Sequence, residues 1–199
     1  MEAVFAILAY LIGSVSTGFI LGKIAGVDVR TAGSGNIGAT NVARVMGKGR
    51  GLLTLIADVA KGFLPALVAR QMGFSDAAMA VVGAAAFLGH LFPLFLKFRG
   101  GKGVATAFGV LLALAPQAIW VPLTVFVAAV LASRRVSLGS ICAAVAAPLP
   151  LWFFSYPGPL TALAVFFAVF IVARHRANIK RLLAGSEPRF GERAESRQT

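Results

Sequence analysis

Seven apolar runs, at about 3–22, 52–72, 77–96, 103–115, 117–133, 137–154 and 158–174, leave this chain little room to fold as anything but helices in a membrane. Apolar residues fill 58% of its 199 positions and charged residues only 13%, too few to cover a water-soluble body of that size. In lipid a backbone must satisfy its own polar groups, which runs near twenty residues long do as helices. The first run is expected to be a span rather than a cleavable leader. Glu2 stands where a leader is basic, and the first Lys comes only at Lys23.

Charge placement sets the expected threading. With the N-terminus outside and all seven runs spanning, 17 of the 19 Lys and Arg residues face the cytoplasm, all but Lys61 and Arg70. The net charge of +12 is thus a membrane-topology signal and argues against a nucleic-acid partner. Anionic lipid headgroups are the expected neighbours. The difficult segment is 103–133, which as one helix would measure about 46 Å against a hydrocarbon core of about 30 Å. A break at Ala115–Pro116 gives a hairpin whose short first arm must sit behind other helices or thin the bilayer. Five spans is the alternative, if that pair and another merge or re-enter. The expected fold is therefore an all-α, seven-span integral membrane bundle, N-terminus outside and C-terminus cytoplasmic, with short Gly-rich cytoplasmic loops. Residues 1–185 form its single domain and 186–199 a polar tail. Asn41–Met46 is expected to be a short amphipathic helix with Val42 and Val45 toward lipid. The lone Cys142 rules out an internal disulfide.

Two inner loops carry the chemistry. Gly33–Gly51 (GSGNIGATNVARVMGKGRG) holds Arg44, Lys48 and Arg50 and no carboxylate. Gly-rich turns with exposed N–H groups and nearby cations suit a phosphate. Gly33, Gly35 and Gly38 permit close backbone approach, and Ser34, Asn36, Thr40 and Asn41 add hydroxyls and amides. The plainer reading is an interfacial turn facing water. A Walker-type loop is excluded, because no GKS or GKT follows the glycines. In FRGGKGVAT (Phe98–Thr106), Arg99 and Lys102 flank Gly100 and Gly101, and Gly103 opens an apolar helix whose N-terminus favours an anion. Further on, RHRANIKRLL places Arg174, Asn178 and Arg181 on one helical face, with His175 one turn from Asn178. Arg176, Lys180 and Arg181 read as snorkelling cations.

Other polar residues have competing readings. Asp58 and Lys61, three apart, form an intrahelical ion pair or support the pocket, and His90 is a buried structural histidine or a second support. Ser137 and Ser140 either cap the following helix or reach a phosphate. The chain has no HxxxxD pair, GxSxG elbow, Cys/His cluster or acidic array, so no metal is expected.

In order and over nearly the whole chain, AYLIGSVSTGFILGK, GSGNIGATNVAR, DVAKG, GHLFPLFLKFRGGKGVAT and RHRANIKRLLAGSE resemble the bacterial acyl-phosphate:glycerol-3-phosphate acyltransferase family of the PlsY type. The resemblance implies a seven-span bundle in the cytoplasmic (inner) membrane. It would transfer an acyl group from acyl phosphate to glycerol 3-phosphate, giving lysophosphatidate and phosphate, with no cofactor. From the family's motifs it carries over Ser34, Asn36, Thr40, Asn41, Arg44, Lys102, Ser140, His175 and Asn178. Ser34, Lys102, His175 and Asn178 are thus expected to be catalytic. Gly33, Gly35, Asn36, Thr40, Asn41, Arg44, Gly100, Gly101, Ser137 and Ser140 are expected to bind substrate, with Lys61 and His90 supporting. An organophosphate transporter would need basic residues reachable from both faces, and the outer face has almost none. An alcohol phosphotransferase would recruit metal through several carboxylates.

Overall fold

Helix-breaking residues fall between the apolar runs, and in a computed structural model that describes residues 1–191 the chain divides accordingly into eleven α-helices. They are α1 (Glu2–Ser14), α2 (Thr17–Ile24), α3 (Ala39–Met46), α4 (Lys48–Gln71), α5 (Asp76–Leu91), α6 (Val104–Leu114), α7 (Trp120–Ser133), α8 (Val136–Ala146), α9 (Pro148–Phe153), α10 (Gly158–Arg174) and α11 (Arg176–Leu183). Among the described residues there is no strand. Positions 192–199 of the expected polar tail lie outside the described residues.

Four stretches are long and apolar enough to cross a bilayer: Glu2–Ile24, Lys48–Gln71, Asp76–Leu96 and Val136–Phe153. The pair α10 and α11, bent by 59°, makes a fifth if taken together. The first span is itself broken. Val15 is extended, and the Ser16 hydroxyl caps α2 by accepting from the Phe19 N–H at 3.4 Å. Two shorter apolar helices, α6 and α7, occupy the run expected to divide at Ala115–Pro116, and the break is there.

The short arm α6 sits behind other helices. Eleven residues rise only about 16 Å, and Thr106, Ala107, Gly109, Val110, Leu111, Ala113 and Leu114 are all buried. Its neighbours are α4, α5 and α10. At its end the Ala113 carbonyl, left without an intrahelical partner, accepts from Arg70 Nη1 at 2.9 Å. Phe87, Phe166, Phe167 and Phe170 fill the space between α5 and α10, with ring centroids 4.5–6.5 Å apart.

Small residues bring the backbones together. A Cβ at Gly62 of α4 would run into the Thr106 carbonyl of α6, and one at Gly109 of α6 into the Val59 carbonyl of α4. The same reciprocity joins α1 and α5, where Gly13 meets the Ala86 carbonyl and Gly89 the Tyr10 carbonyl. The amphipathic α3 forms as expected, but Val42 is turned inward. With Val29, Ile37 and Leu96 it makes a small apolar plug beneath the first loop, which corrects its expected lipid-facing position. Phe19 and Met46 pack against the sides of that plug.

Gly109→Leu is expected to lower the thermal midpoint of the purified protein by about 3–10 °C, the shift that about 1–3 kcal/mol of overpacking produces at this size. An unchanged midpoint in a melting curve would contradict the α4–α6 contact.

Candidate functional site

The first glycine loop is built around one amide. Asn41 is buried, and its Oδ1 accepts from the Ser34 N–H at 2.8 Å. Its Nδ2 lies 3.0 Å from Val29 O, 3.1 Å from Ala32 O and 2.8 Å from Asn36 O. Asn36 Oδ1 in turn accepts from the Gly38 N–H at 2.8 Å. The polar atoms of Asn41 are thus spent on shaping the loop. Gly33 and Gly35 adopt φ of +59° and +71°, and a Cβ on Gly33 would strike Asn41 Oδ1. Ser34 and Thr40 stand exposed on this frame, and Arg44 is half-buried on α3.

The second loop is folded tightly onto the end of α5. Pro93 ends the helical path, Lys97 and Phe98 take left-handed φ of 51° and 62°, and the chain turns back. The Gly100 N–H then donates to Leu91 O and the Gly101 N–H to His90 O, both at 3.1 Å. Their carbonyls accept from Arg174, whose Nη2 reaches Gly100 O at 2.7 Å and Nε reaches Gly101 O at 3.1 Å. Both glycine amides are thus committed to α5. These glycines permit close approach, since a Cβ at Gly100 would meet His90 O and one at Gly101 the His90 ring. Lys102 follows immediately, one residue before the Gly103 N-cap of α6, at the positive end of that helix.

The third element departs from the expected single helical face. The helix breaks at His175, so Arg174 ends α10 and binds the second loop while Asn178 and Arg181 lie on α11. His175 is buried, and its Nδ1 is 2.8 Å from Ile171 O. A carbonyl can only accept, so Nδ1 carries the proton and the lone pair of the neutral ring is at Nε2.

The second and third elements meet at Lys102. Its Nζ donates to Asn178 Oδ1 at 2.5 Å, and Asn178 Nδ2 donates to Glu187 Oε1 at 2.6 Å. Arg181 Nε donates to Glu187 Oε2 at 2.7 Å, a partner that replaces the snorkelling role expected of it. Burial lowers the Lys102 ammonium to about 8; the Glu187 charge opposes the shift, while Arg181, Arg44 and Arg174 add to it. Burial alone would raise the Glu187 carboxyl, but hydrogen bonds from Asn178 and Arg181 hold it below its ordinary range.

Glu187 is the site residue that sequence reasoning missed, because it lies in a stretch whose composition is that of a polar tail. The available signal was Gly185, whose φ of +70° closes α11 with Ser186 N–H donating to Arg181 O at 2.9 Å and turns the chain back. The Phe190 N–H then donates to Arg134 O at 2.6 Å. Ser137 and Ser140 are buried within α8, and the Ser140 hydroxyl donates to Val136 O at 2.9 Å. Neither caps the helix, which has Arg135 at its N-cap and no side-chain cap bond.

A cavity of about 590 Å³ separates the first two loops, lined by Asp28, Arg30, Thr31, Gly35, Ile37, Phe98, Arg99, Gly100 and Arg174. Arg30 grips Asp28 through a fork of 2.8–3.3 Å and holds its carboxyl down to about 2. Arg99 and Arg174 therefore set the positive character of the cavity. Lys61 and His90 lie behind the second loop, away from its open side. The Asp58–Lys61 ion pair forms as expected, at 2.8 Å. Among the described residues, no three His, Cys, Asp or Glu side chains stand together as metal ligands would.

This arrangement matches known proteins closely. Residues 3–185 fit the family model of glycerol-3-phosphate acyltransferase. The glycerol-3-phosphate acyltransferase of Geobacter sulfurreducens is 47% identical over 95% of this chain and 97% of its own. That of Geobacter metallireducens is 53% identical over 92% and 94%. A crystal structure of PlsY, an integral membrane glycerol 3-phosphate acyltransferase, in its glycerol 3-phosphate form, superposes with a TM-score of 0.93 at 44% identity. It covers 96% of both chains. The lysophosphatidic acid form of PlsY gives 0.89 at 43% identity, over 96% of this chain and 95% of that one. Two basic glycine loops facing one cavity, a half-buried lysine held by Asn178 in a helical bundle, and these matches along almost the full length place this chain in the glycerol-3-phosphate acyltransferase family of the PlsY type.

Proposed function

We propose that this acyltransferase takes its acyl group from acyl phosphate and delivers it to the sn-1 hydroxyl of glycerol 3-phosphate, releasing lysophosphatidate and inorganic phosphate. The observation that carries the reading is the Lys102–Asn178 contact, which joins two separate basic segments at one half-buried cation. Two phosphate-bearing substrates need such a concentration of positive charge. Acyl phosphate is a mixed anhydride with a good leaving group, so orientation and charge stabilisation suffice without a strong protein nucleophile. The relatives' glycerol 3-phosphate and lysophosphatidic acid forms name one substrate and one product of this reaction.

The hydroxyl oxygen of glycerol 3-phosphate attacks the acyl carbon. The bond from that carbon to the phosphate oxygen breaks, phosphate leaves, and the hydroxyl proton passes to a base. That base is His175 Nε2 or an oxygen of the substrate phosphate. Lys102 and Arg44 balance phosphate charge, Ser34 and Thr40 donate from the exposed first loop, and Asn178 with His175 orients glycerol 3-phosphate. Gly33, Gly35, Asn36 and Asn41 hold the first loop in shape, and Ser137 and Ser140 line the site from α8. No cofactor takes part. The enzyme is a multi-pass protein of the bacterial inner membrane with this site on the cytoplasmic face. In the seven-span reading, the five long or bent stretches are joined by α6 and α7, N-terminus outside. The positive-inside placement of the basic residues supports that threading.

Purified protein given glycerol 3-phosphate and palmitoyl phosphate in EDTA is expected to release lysophosphatidate and phosphate in equal amounts. Product formed only with acyl-CoA would refute the donor assignment. Lys102→Ala is expected to cost at least about a hundredfold in kcat/KM, the scale of a lost charge stabiliser. His175→Ala should be milder if substrate phosphate is the base. Wild-type rates in folded Lys102→Ala protein would remove Lys102 from the mechanism. Because Lys102 acts as a cation with a value of about 8, it sets the alkaline limb: its contribution is full below that pH, and activity should fall as pH rises through it. Lys102→Arg should move the alkaline limb upward, and a pH–rate profile with the limb unmoved would assign it to another group.

A further inference from the structure

Three ionisable side chains, Asp58, Lys61 and His90, are more than nine-tenths buried among the spanning helices, behind the second loop. Lys61 Nζ lies 2.8 Å from Asp58 Oδ1 and donates to Val15 O at 3.1 Å. Val15 is where the first span breaks, so its carbonyl has lost the helical partner it would otherwise have. The same Asp58 Oδ1 faces His90 Nδ1 at 3.6 Å. On its other side the His90 ring presses on Gly101, where a Cβ would collide with Nε2, and the His90 carbonyl holds the Gly101 N–H. A continuous contact path therefore runs from the break in the first span through Lys61, Asp58 and His90 to the residue that precedes Lys102.

Charged groups in an apolar interior cost free energy, and well-packed apolar replacements often stabilise a fold at least as well. Stability alone therefore does not explain this cluster. Its geometry does: the shared carboxylate oxygen stands at ion-pair distance from the His90 ring, whose Nδ1 has no closer partner, and the opposite edge of the ring packs against Gly101. We infer that the buried Asp58–Lys61–His90 cluster is a positioning device that fixes the Gly100–Gly103 turn and so aims Lys102 at Asn178. The inference rests on the functional reading above only for Lys102 being the cation that matters in turnover. The placement of Lys102 can be tested without it.

The first readout is labelling of the Lys102 amine by trinitrobenzenesulfonate, quantified by peptide mass spectrometry with exposed Lys48 as reference. His90→Ala should speed labelling of Lys102 several-fold and leave Lys48 unchanged. The second readout is turnover. His90→Ala and Gly101→Ala should each lower kcat by about ten- to a hundredfold, as a misplaced catalytic group does. The double variant should lose less than the product of the two, because the new methyl enters space vacated by the ring. The pair Asp58→Leu/Lys61→Met separates positioning from stability: its thermal midpoint should hold or rise while kcat falls. Unchanged labelling and kcat in folded His90→Ala, a purely multiplicative double variant, or an apolar pair with full kcat would each overturn the inference. So would failure of both His90→Ala and the apolar pair to fold, which would make the cluster a general stability element. If the wild type does not use acyl phosphate, the donor assignment fails, and Lys102 labelling still decides this one.

Discussion

Helices in lipid gain little by hiding apolar surface from one another, so this bundle rests on how closely its backbones can approach. Gly13 and Gly89 bring α1 and α5 into reciprocal contact, and Gly62 and Gly109 do the same for α4 and α6. Gly51 lets α3 lie against α4 at Ala43, and Gly100 and Gly101 seat the second loop on His90. One steric device thus sets both the helix spacing and the placement of the loop that carries Lys102. The glycines of that loop, suggestive of anion contact by composition, turn out to extend the packing of the spans into the site.

The electrostatics follow from that packing. Close approach half-buries Lys102, and that desolvation with Arg181, Arg44 and Arg174 nearby lowers its ammonium, a shift that the Glu187 charge opposes. The site therefore holds excess positive charge with one carboxylate placed to keep its central cation usable. Asn178 makes this balance directional, since it accepts from Lys102 and donates to Glu187.

Much of this was legible in the sequence. The apolar runs announce the helices, the break after Ala115 follows from the length of 103–133, and the two basic glycine loops mark the walls of the cavity. Local pattern reaches no further than that. The helical spacing of Arg174, Asn178 and Arg181 suggested one face, but the chain bends at His175 and divides them between two tasks. Val42 was placed toward lipid because amphipathicity shows that a face is apolar without showing what covers it. Asn36 and Asn41 looked like ligand groups because side-chain amides suit a substrate as well as they suit a backbone. Glu187 was discarded with the polar tail, because a single carboxylate after a glycine has no periodicity to connect it with Asn178.

The return of the chain at Gly185 bears on how the protein is made. Glu187 follows every described helix in sequence, yet it completes the hydrogen-bonded path that steadies Asn178 and Lys102. During synthesis all eleven helices therefore leave the ribosome before the polar path can close. Inserted chains that stop short of Glu187 hold the Lys102 cation without that counter-charge, so the path closes in one step after the described helices and not gradually with each of them.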